Sequence, residues 1–241
     1  MIDRRDLYHG KVVLVSGRAG GIELSTARCF AAHGAHVIEA HGDAGSADTR
    51  ELIVEIGGRF GRIDAFVAHG PAISHVEDEC DEREFLETLR LRAWPTFGYL
   101  AIIKKLLGQY PKYVVSVSSG WPDEMASGSG LAAASDSVVA ALIRQLACKL
   151  RSEGVRMNLI SARTFPRQSD TEAGDGFSTF LRRVVPEHSR VTADDVAQAV
   201  FALCSGMFDA LTGQVVVLDR GATFAEGISY LYDRRDAIGF E

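Results

Sequence analysis

A glycine-rich turn near the N-terminus is the first place where this sequence could do chemistry. Gly17–Gly21 follows a short β-branched run and opens a helical pattern, and the backbone N–H groups at such a helix start bind phosphates. Glu23 falls in the first turn of that helix. Its carboxylate suits the helix dipole, but it takes the space and the field that a phosphate would use. The turn therefore predicts repulsion of a phosphate group.

A second group of candidate residues, around Ser119, could support nucleophilic catalysis. Ser119 follows a predicted strand, and His69 and Arg163 follow two other predicted strands. Loops at the carboxyl ends of parallel strands converge, so these side chains could meet. No acidic residue that would orient the histidine is visible, and a serine–histidine pair without one is a weak nucleophilic site.

Metal and thiol chemistry find little support in the sequence. The four cysteines are far apart and form no CxxC pair, and the seven histidines show no ligand spacing such as HxxxH. Cys29, Cys148 and Cys204 fall among apolar helical residues, where a cysteine behaves as a small hydrophobe. We predict no metal site and a reduced, cytoplasmic protein.

The elements that would position these residues alternate between strand and helix. Short apolar runs predict strands at 11–16, 35–40, 63–68, 113–117, 155–160 and 212–218. Helical periodicity predicts helices at 22–33, 47–60, 81–107 (interrupted by Pro95), 131–153 and 192–204. Such repeated units imply an α/β, Rossmann-like fold, a doubly wound parallel sheet with helices on both faces. We predict one domain over residues 1–241, with a C-terminal tail at 222–241.

Composition excludes several classes of partner. The chain has 241 residues, of which 46% are hydrophobic and 24% charged, and its net charge is −6. It shows no basic stripe of the kind that binds nucleic acid. No run approaches the ~20 apolar residues of a membrane helix, and polar residues up to Lys11 leave no signal-peptide core. We therefore expect neither a nucleic-acid partner nor a membrane partner.

Five stretches, in the expected order, resemble motifs of the short-chain dehydrogenase/reductase (SDR) family. They match its glycine turn, the approach to its NNAG motif, the strand with its catalytic serine, the strand before its PG motif, and its closing segment. The likeness runs from about residue 8 to about residue 222 and implies the SDR fold. The stretches read Val15-Ser-Gly-Arg-Ala-Gly-Gly-Ile22, Phe60-Gly-Arg-Ile-Asp-Ala-Phe-Val67, Val114-Val-Ser-Val-Ser-Ser-Gly120, Val155-Arg-Met-Asn158 and Leu211-Thr-Gly-Gln-Val-Val-Val-Leu-Asp-Arg-Gly221.

The resemblance implies a nicotinamide cofactor site, but the sequence departs from the family at the binding positions. Gly17 and Gly21 match the glycine turn, whereas Glu23 stands at the third glycine. His41 stands where the family has an acidic residue for the NAD ribose or a basic residue for the NADP phosphate. The asparagine of the active-site helix corresponds to about Arg92. Roughly twenty residues that would form a helix and a third strand are missing as well, by comparison with the family's usual layout. We expect this chain to bind no cofactor.

The catalytic positions are also changed. The family uses a serine, a tyrosine and a lysine four residues after the tyrosine, and the lysine lowers the pKa of the tyrosine. Ser119 stands at the serine position, while Leu131 and Ser135 stand at the tyrosine and lysine positions. A register shifted by one residue gives Ala132 and Asp136 instead. Neither register supplies a tyrosine or a lysine, so the resemblance implies that Ser119 is a vestige and that the chain has no catalytic set.

A non-catalytic subunit is the first function that fits such a scaffold. The chain would support a homologous, catalytically intact SDR subunit, which supplies NAD(P), in a hetero-oligomer of the tetramer type. Family members pair through the helices that match 81–107 and 131–151, where Val138, Leu142 and Leu146 would supply apolar contacts. Degenerate subunits occur in two heteromeric dehydrogenases of this family that act on hydroxyacyl groups. One belongs to aminocoumarin synthesis and the other to anaerobic toluene degradation. We favour slightly the latter type, 2-[hydroxy(phenyl)methyl]succinyl-CoA dehydrogenase, which acts on an acyl-CoA in aromatic degradation.

Two other functions are a non-redox enzyme similar to halohydrin dehalogenase and a ligand-sensing protein. The dehalogenase needs a serine, a tyrosine and, at the lysine position, an arginine, which Leu131 and Ser135 do not provide. A sensor would keep a pocket beneath the segment 164–183. If the chain is instead a non-catalytic subunit, residues 230–232 of the tail, Tyr-Leu-Tyr, would anchor the partner subunit.

Overall fold

Six strands and five α-helices alternate along the residues that the structure describes. The computed structural model describes residues 7–17, 21–70, 81–118, 130–162, 190–221 and 239. The strands are β1 (Val12–Ser16), β2 (His36–Ala40), β3 (Ala65–His69), β4 (Tyr113–Ser118), β5 (Arg156–Ala162) and β6 (Val215–Leu218). The helices are α1 (Gly21–Ala32), α2 (Ala47–Phe60), α3 (Glu82–Leu107), α4 (Gly130–Leu150) and α5 (Ala193–Cys204), and a 3-10 turn follows α4 at Arg151–Glu153.

All six strands are parallel and lie in one sheet in the order β2-β1-β3-β4-β5-β6. The strand order reverses direction between β1 and β3, as expected of a doubly wound sheet. The predicted fold class is therefore confirmed. In such a sheet, side chains that follow β1, β3 and β4 meet at the carboxyl edge, which is where the candidate residues lie.

Local sequence signals set the ends of the helices. A capping box of Asp81 and Glu84 begins α3, and the predicted one of Thr192 and Asp195 begins α5. Gly61, in the left-handed conformation at φ 70°, ends α2 as predicted and donates its N–H to the carbonyl of Gly57.

Helices cover both faces of the sheet. α2, α3 and α4 pack on one face, over a core that includes Leu14 and Phe66. α1 and α5 pack on the other face, where Phe30 meets Tyr8 edge-on and lies against Phe201. α3 continues through Pro95 rather than breaking there. Packing on the sheet outweighs the helical hydrogen bond that a proline cannot make.

The sheet ends at β2, as the shortened sequence after this strand predicts. Only residues 41–46 connect β2 to α2, and among the described residues β2 pairs with β1 alone. This is the side on which the family would place its third strand. None of the helices that the structure describes is both long enough and apolar enough to cross a membrane.

Candidate functional site

The glycine turn after β1 is covered by the side chain of Glu23. A Cβ atom added to Gly17 would lie 2.7 Å from Cγ and 3.1 Å from Oε1 of Glu23. The carboxylate thus folds back from the first turn of α1 over the backbone at Gly17. Residues 18–20 of the turn, and the structure of the turn through them, lie outside the described residues. A phosphate brought to Gly17 would meet a carboxylate instead of open space and N–H donors.

His41, directly after β2, is bound back to the same turn. Its Nδ1 atom donates a hydrogen bond to the carbonyl oxygen of Gly17 at 3.0 Å, and its Nε2 atom lies 4.0 Å from Oε2 of Glu39. The imidazole is exposed. An imidazole offers neither the carboxylate that holds a ribose hydroxyl pair nor the permanent positive charge of a guanidinium that holds a ribose phosphate.

A buried ion pair between Arg92 and Asp136 occupies the carboxyl edge beside β4. Nη2 of Arg92 lies 2.6 Å from each carboxylate oxygen of Asp136, and Nε lies 2.9 Å from Oδ1. The guanidinium also donates to Oγ of Ser118, the last residue of β4, at 3.0 Å. The two charged side chains are only 4% and 1% exposed. Burial at this depth is tolerated because each charge neutralises the other and both carboxylate oxygens accept hydrogen bonds.

Three elements position this ion pair. Arg92 lies on the buried face of α3 together with Thr88 and Thr96, and Thr96 shares a hydrogen bond of 3.0 Å with Ser116 of β4. Asp136 lies on α4, which packs beside α3. The polar side chains form a seam between α3, β4 and α4, inside an otherwise apolar layer. Polar groups in such a seam fix the relative register of the elements only while every member keeps its partner.

The structure distinguishes between the two registers considered for the tyrosine and lysine positions. Ser135 is buried, and its hydroxyl donates to the carbonyl oxygen of Leu131 in its own helix, at 2.7 Å. Asp136, from the shifted register, instead accepts hydrogen bonds from Arg92. The shifted register therefore supplies the side chain that reaches the site. The side chain of Ala132, which accompanies Asp136 in that register, and all of Ser119 lie outside what the structure describes.

The ion pair can do little acid–base chemistry. Both carboxylate oxygens of Asp136 accept from Arg92, and a guanidinium does not release its proton in proteins. Relative to the family, a carboxylate stands near the lysine position and an arginine near the asparagine position. Glu23 places a carboxylate over the glycine turn, where the resemblance implies a cofactor pyrophosphate of the same charge.

His69, the last residue of β3, is buried beside the glycine turn. Its Cβ lies 3.0 Å from the position that a Cβ on Gly17 would take. Within the part of the chain that the structure describes, its Nε2 has no hydrogen-bond partner. Burial lowers the pKa of His69 from 6.5 to about 3, because the charged imidazolium would lose its hydration. His69 is therefore neutral at physiological pH. The predicted pairing of His69 with Ser119 or Arg163 concerns residues outside the described ranges.

Sequence reasoning missed the pairing of Arg92 with Asp136, although it named both residues. The sequence does contain a signal for this pair, since Arg92 lies among apolar residues of one predicted helix and Asp136 lies in the alanine-rich part of the next. Charged residues are rarely buried without a partner, so two of opposite sign on buried faces of neighbouring helices indicate a pair.

Comparisons with known proteins extend over nearly the whole chain. The family model described as enoyl-(acyl carrier protein) reductase matches residues 10–223. Oxidoreductase UcpA of Escherichia coli is 25% identical over 257 aligned positions, covering 91% of this chain and 97% of UcpA. (+)-Borneol dehydrogenase 1 of Salvia officinalis is 28% identical over 249 positions, covering 88% of this chain and 93% of that protein.

A solved structure of an enoyl-(acyl-carrier-protein) reductase from Anaplasma phagocytophilum, in complex with NAD, has the same fold. Its TM-score is 0.78 at 16% identity, over 91% of this chain and 96% of that one. The alignment with UcpA spans 257 positions but takes up only 91% of these 241 residues, so it leaves gaps in this chain. Gaps of this kind agree with the short connection between β2 and α2.

Proposed function

Because the chain belongs to the short-chain dehydrogenase/reductase family, whose members among its relatives are oxidoreductases, we propose that it is a non-catalytic subunit. Its role is to support a catalytically intact SDR subunit in a hetero-oligomer of the tetramer type. The partner supplies NAD(P) and the serine–tyrosine–lysine set, and the complex oxidises or reduces a hydroxyacyl or ketoacyl group. This chain itself binds no nicotinamide cofactor.

The Arg92–Asp136 ion pair supports the proposal most directly. A side chain that is merely missing leaves a site that can be rebuilt around a ligand, but a buried ion pair takes up the site's own polar groups. Releasing either partner to meet a substrate would leave the other charged group buried and unpaired, at a cost of about 3–5 kcal/mol. The pair therefore favours a structural use of this region over a catalytic one.

The outer faces of α3 and α4 offer the surface for the partner subunit. The exposed apolar side chains there include Leu91, Trp94, Val138 and Leu142, which are 39–47% exposed. Ala134 and Ala141 are exposed on α4 and would let a second helix approach closely. Leu146, which was predicted to join this surface, packs against the chain's own core instead.

The substrate class follows from the resemblance to degenerate subunits. The pattern of losses resembles that of the degenerate subunits of heteromeric dehydrogenases, and oxidation of a 2-[hydroxy(phenyl)methyl]succinyl-CoA is the reaction we propose for the complex. The predicted anchor in the tail, residues 230–232, and the predicted sensor lid, residues 164–183, lie outside the described residues.

A halohydrin-dehalogenase-like function gains no support from the site geometry. Such an enzyme would need a tyrosine and, at the lysine position, an arginine. Arg92 is the arginine at this site, and its guanidinium is bound to Asp136 and Ser118. Neither tyrosine nor lysine occurs between Ala126 and Ile143.

Native mass spectrometry tests the proposed assembly. The full chain is co-expressed with an intact SDR homologue encoded in the same genome, and the purified oligomer is titrated with NADH and NADPH. We expect a mixed oligomer that binds cofactor only in proportion to the intact subunit. Because Val138 and Leu142 are exposed apolar contacts, changing both to glutamate should lower the mixed fraction about tenfold or more.

Val54→Glu serves as the matched control for this assembly. Val54 is also an exposed apolar residue on a helix, at 58% exposure, but it lies on α2. The Val54→Glu variant should leave the mixed oligomer intact. Homo-oligomers alone, in the presence of the intact homologue, would contradict the proposed role.

A further inference from the structure

Stability alone does not account for the buried ion pair between Arg92 and Asp136. An apolar pair of similar volume is often as stable as a buried ion pair, or more so. Among the described buried side chains of α3 and α4, only these two carry a charge, and Nη2 of Arg92 lies 2.6 Å from each carboxylate oxygen of Asp136. Such a pair points to a requirement for one particular geometry of the two helices.

The ion pair joins α3 to α4 where both helices are buried. In the described part of the chain, no other hydrogen bond between side chains connects the two helices along their lengths. Lys104 and Glu153 link the end of α3 to the 3-10 turn after α4, but both side chains are more than one-third exposed. Because exposed ion pairs contribute little, the polar link that can hold α3 against α4 is the buried one.

The apolar side chains beside the pair hold the helices less strictly. The buried residues of α4 that follow Asp136 are all aliphatic, and Ala140 and Ala147 are among the smallest. Hydrophobic contact has no preferred direction, whereas hydrogen bonds have narrow limits of length and angle. A slide of α4 by one residue moves Asp136 by about 1.5 Å, which is enough to break its bonds to Arg92.

Residues of the proposed partner surface lie within one turn of the ion pair. Leu91 directly precedes Arg92 on α3, and Val138 is two residues beyond Asp136 on α4. Their side chains are 41% and 40% exposed. A displacement of α3 against α4 would therefore move Leu91 relative to Val138 by the same distance. The core of a protein interface is packed as closely as a protein interior, so such a shift would cost contacts with the partner.

We propose that Arg92 and Asp136 are positioning residues for the partner subunit. By holding α3 and α4 in one register, they fix the shape of the exposed apolar surface on these helices and thereby the subunit that it fits. The inference rests on the proposed function, because it concerns the same surface. Residues at positions that serve catalysis in the family have a role in assembly here.

Titration with the intact SDR homologue tests the proposal in two double variants. Arg92→Met with Asp136→Leu removes the link between α3 and α4. Thr96→Val with Ser116→Ala is the matched control, since it removes a buried hydrogen bond of 3.0 Å between α3 and β4 and keeps the ion pair. Native mass spectrometry over a concentration series gives the dissociation constant of the mixed oligomer, and urea unfolding confirms that each variant is folded.

The first variant should weaken the mixed oligomer by about tenfold or more, even where its urea midpoint matches that of the unchanged chain, because its helices no longer present one complementary shape. The control should assemble as the unchanged chain does. If Arg92→Met with Asp136→Leu does not fold, the apolar pair Arg92→Leu with Asp136→Met takes its place, with the same expected result.

Spin labels measure the register directly in the full chain. One label is placed on Cys148, which is exposed on α4, and the other on α3 through Lys105→Cys, in a background where the other cysteines are alanine. Electron paramagnetic resonance should give a narrow distribution of distances with the ion pair present. The apolar pair should broaden or split this distribution, and the Thr96→Val, Ser116→Ala control should not.

The outcomes separate this inference from the proposed function. Failure of the unchanged chain to form a mixed oligomer would overturn both. A mixed oligomer that forms equally well with the unchanged chain and with the folded apolar variant would overturn only the positioning role. Equal distance distributions in the two would overturn it as well, and so would an equal loss of assembly in the Thr96→Val, Ser116→Ala control.

Discussion

Replacing Arg92 by methionine is expected to lower the free energy of unfolding by about 3–5 kcal/mol, because it leaves the carboxylate of Asp136 buried and unpaired. The side chain of Asp136 is 1% exposed and takes three hydrogen bonds from Arg92. Asp136→Leu should be destabilising for the converse reason, since the guanidinium then lacks its counter-charge. Denaturation by urea, followed by circular dichroism, measures both changes.

The double variant Arg92→Met with Asp136→Leu should regain much of the lost stability. An apolar pair of similar volume often matches or exceeds a buried ion pair, so the coupling between the two sites should be large. Arg90→Met is the matched control on the same helix. Arg90 pairs with Asp43 and Glu87 in an exposed position, and its loss should leave the urea midpoint nearly unchanged. A cost for Arg92→Met as small as that for Arg90→Met would contradict the buried pair.

The stability of the protein should fall as the pH is lowered below about 6.5, because of His69. Burial lowers the pKa of this histidine to about 3 in the folded chain, whereas an unfolded histidine titrates near 6.5. The unfolded state therefore binds a proton first, and each pH unit below 6.5 removes about 1.4 kcal/mol until the pH approaches 3. Between about pH 7 and about pH 5, His69 should cost about 2 kcal/mol of unfolding free energy.

A difference between two pH profiles isolates this contribution. Carboxylates also titrate as the pH falls towards 4, but they do so alike in the unchanged chain and in a His69→Leu variant. The unchanged chain should lose about 2 kcal/mol more than the variant between about pH 7 and about pH 5. Parallel profiles would show that His69 is not held neutral by burial.

The architecture could be predicted from the sequence because its signals are local. Gly61 ends α2, Thr192 and Asp195 begin α5, and the short run after β2 leaves no room for another strand. These features depend on neighbours within a few residues, where capping and turn rules apply. Pro95 was the exception, since only packing on the sheet could show that α3 continues through it.

The candidate site was predicted less completely, because it depends on contacts between distant residues. Arg92 and Asp136 are 44 residues apart in sequence, and no periodicity states that they face each other. Whether Ser135 or Asp136 reaches the site depends on the direction of each side chain, since consecutive helical residues are rotated by about 100°. Motif spacing cannot decide between them, because the tyrosine and lysine that define the motif are lost. The position of β2 at the end of the described sheet likewise emerges only from the strand order.

Isothermal titration of the chain alone with NADH and with NADPH tests the central claim most directly. Glu23 over Gly17 and the Arg92–Asp136 pair together predict no saturable binding of either cofactor up to about 1 mM, a ceiling that corresponds to roughly 4 kcal/mol of binding free energy. Stoichiometric binding at micromolar concentration would contradict the account, because a pyrophosphate would then have to displace the Glu23 carboxylate from the turn.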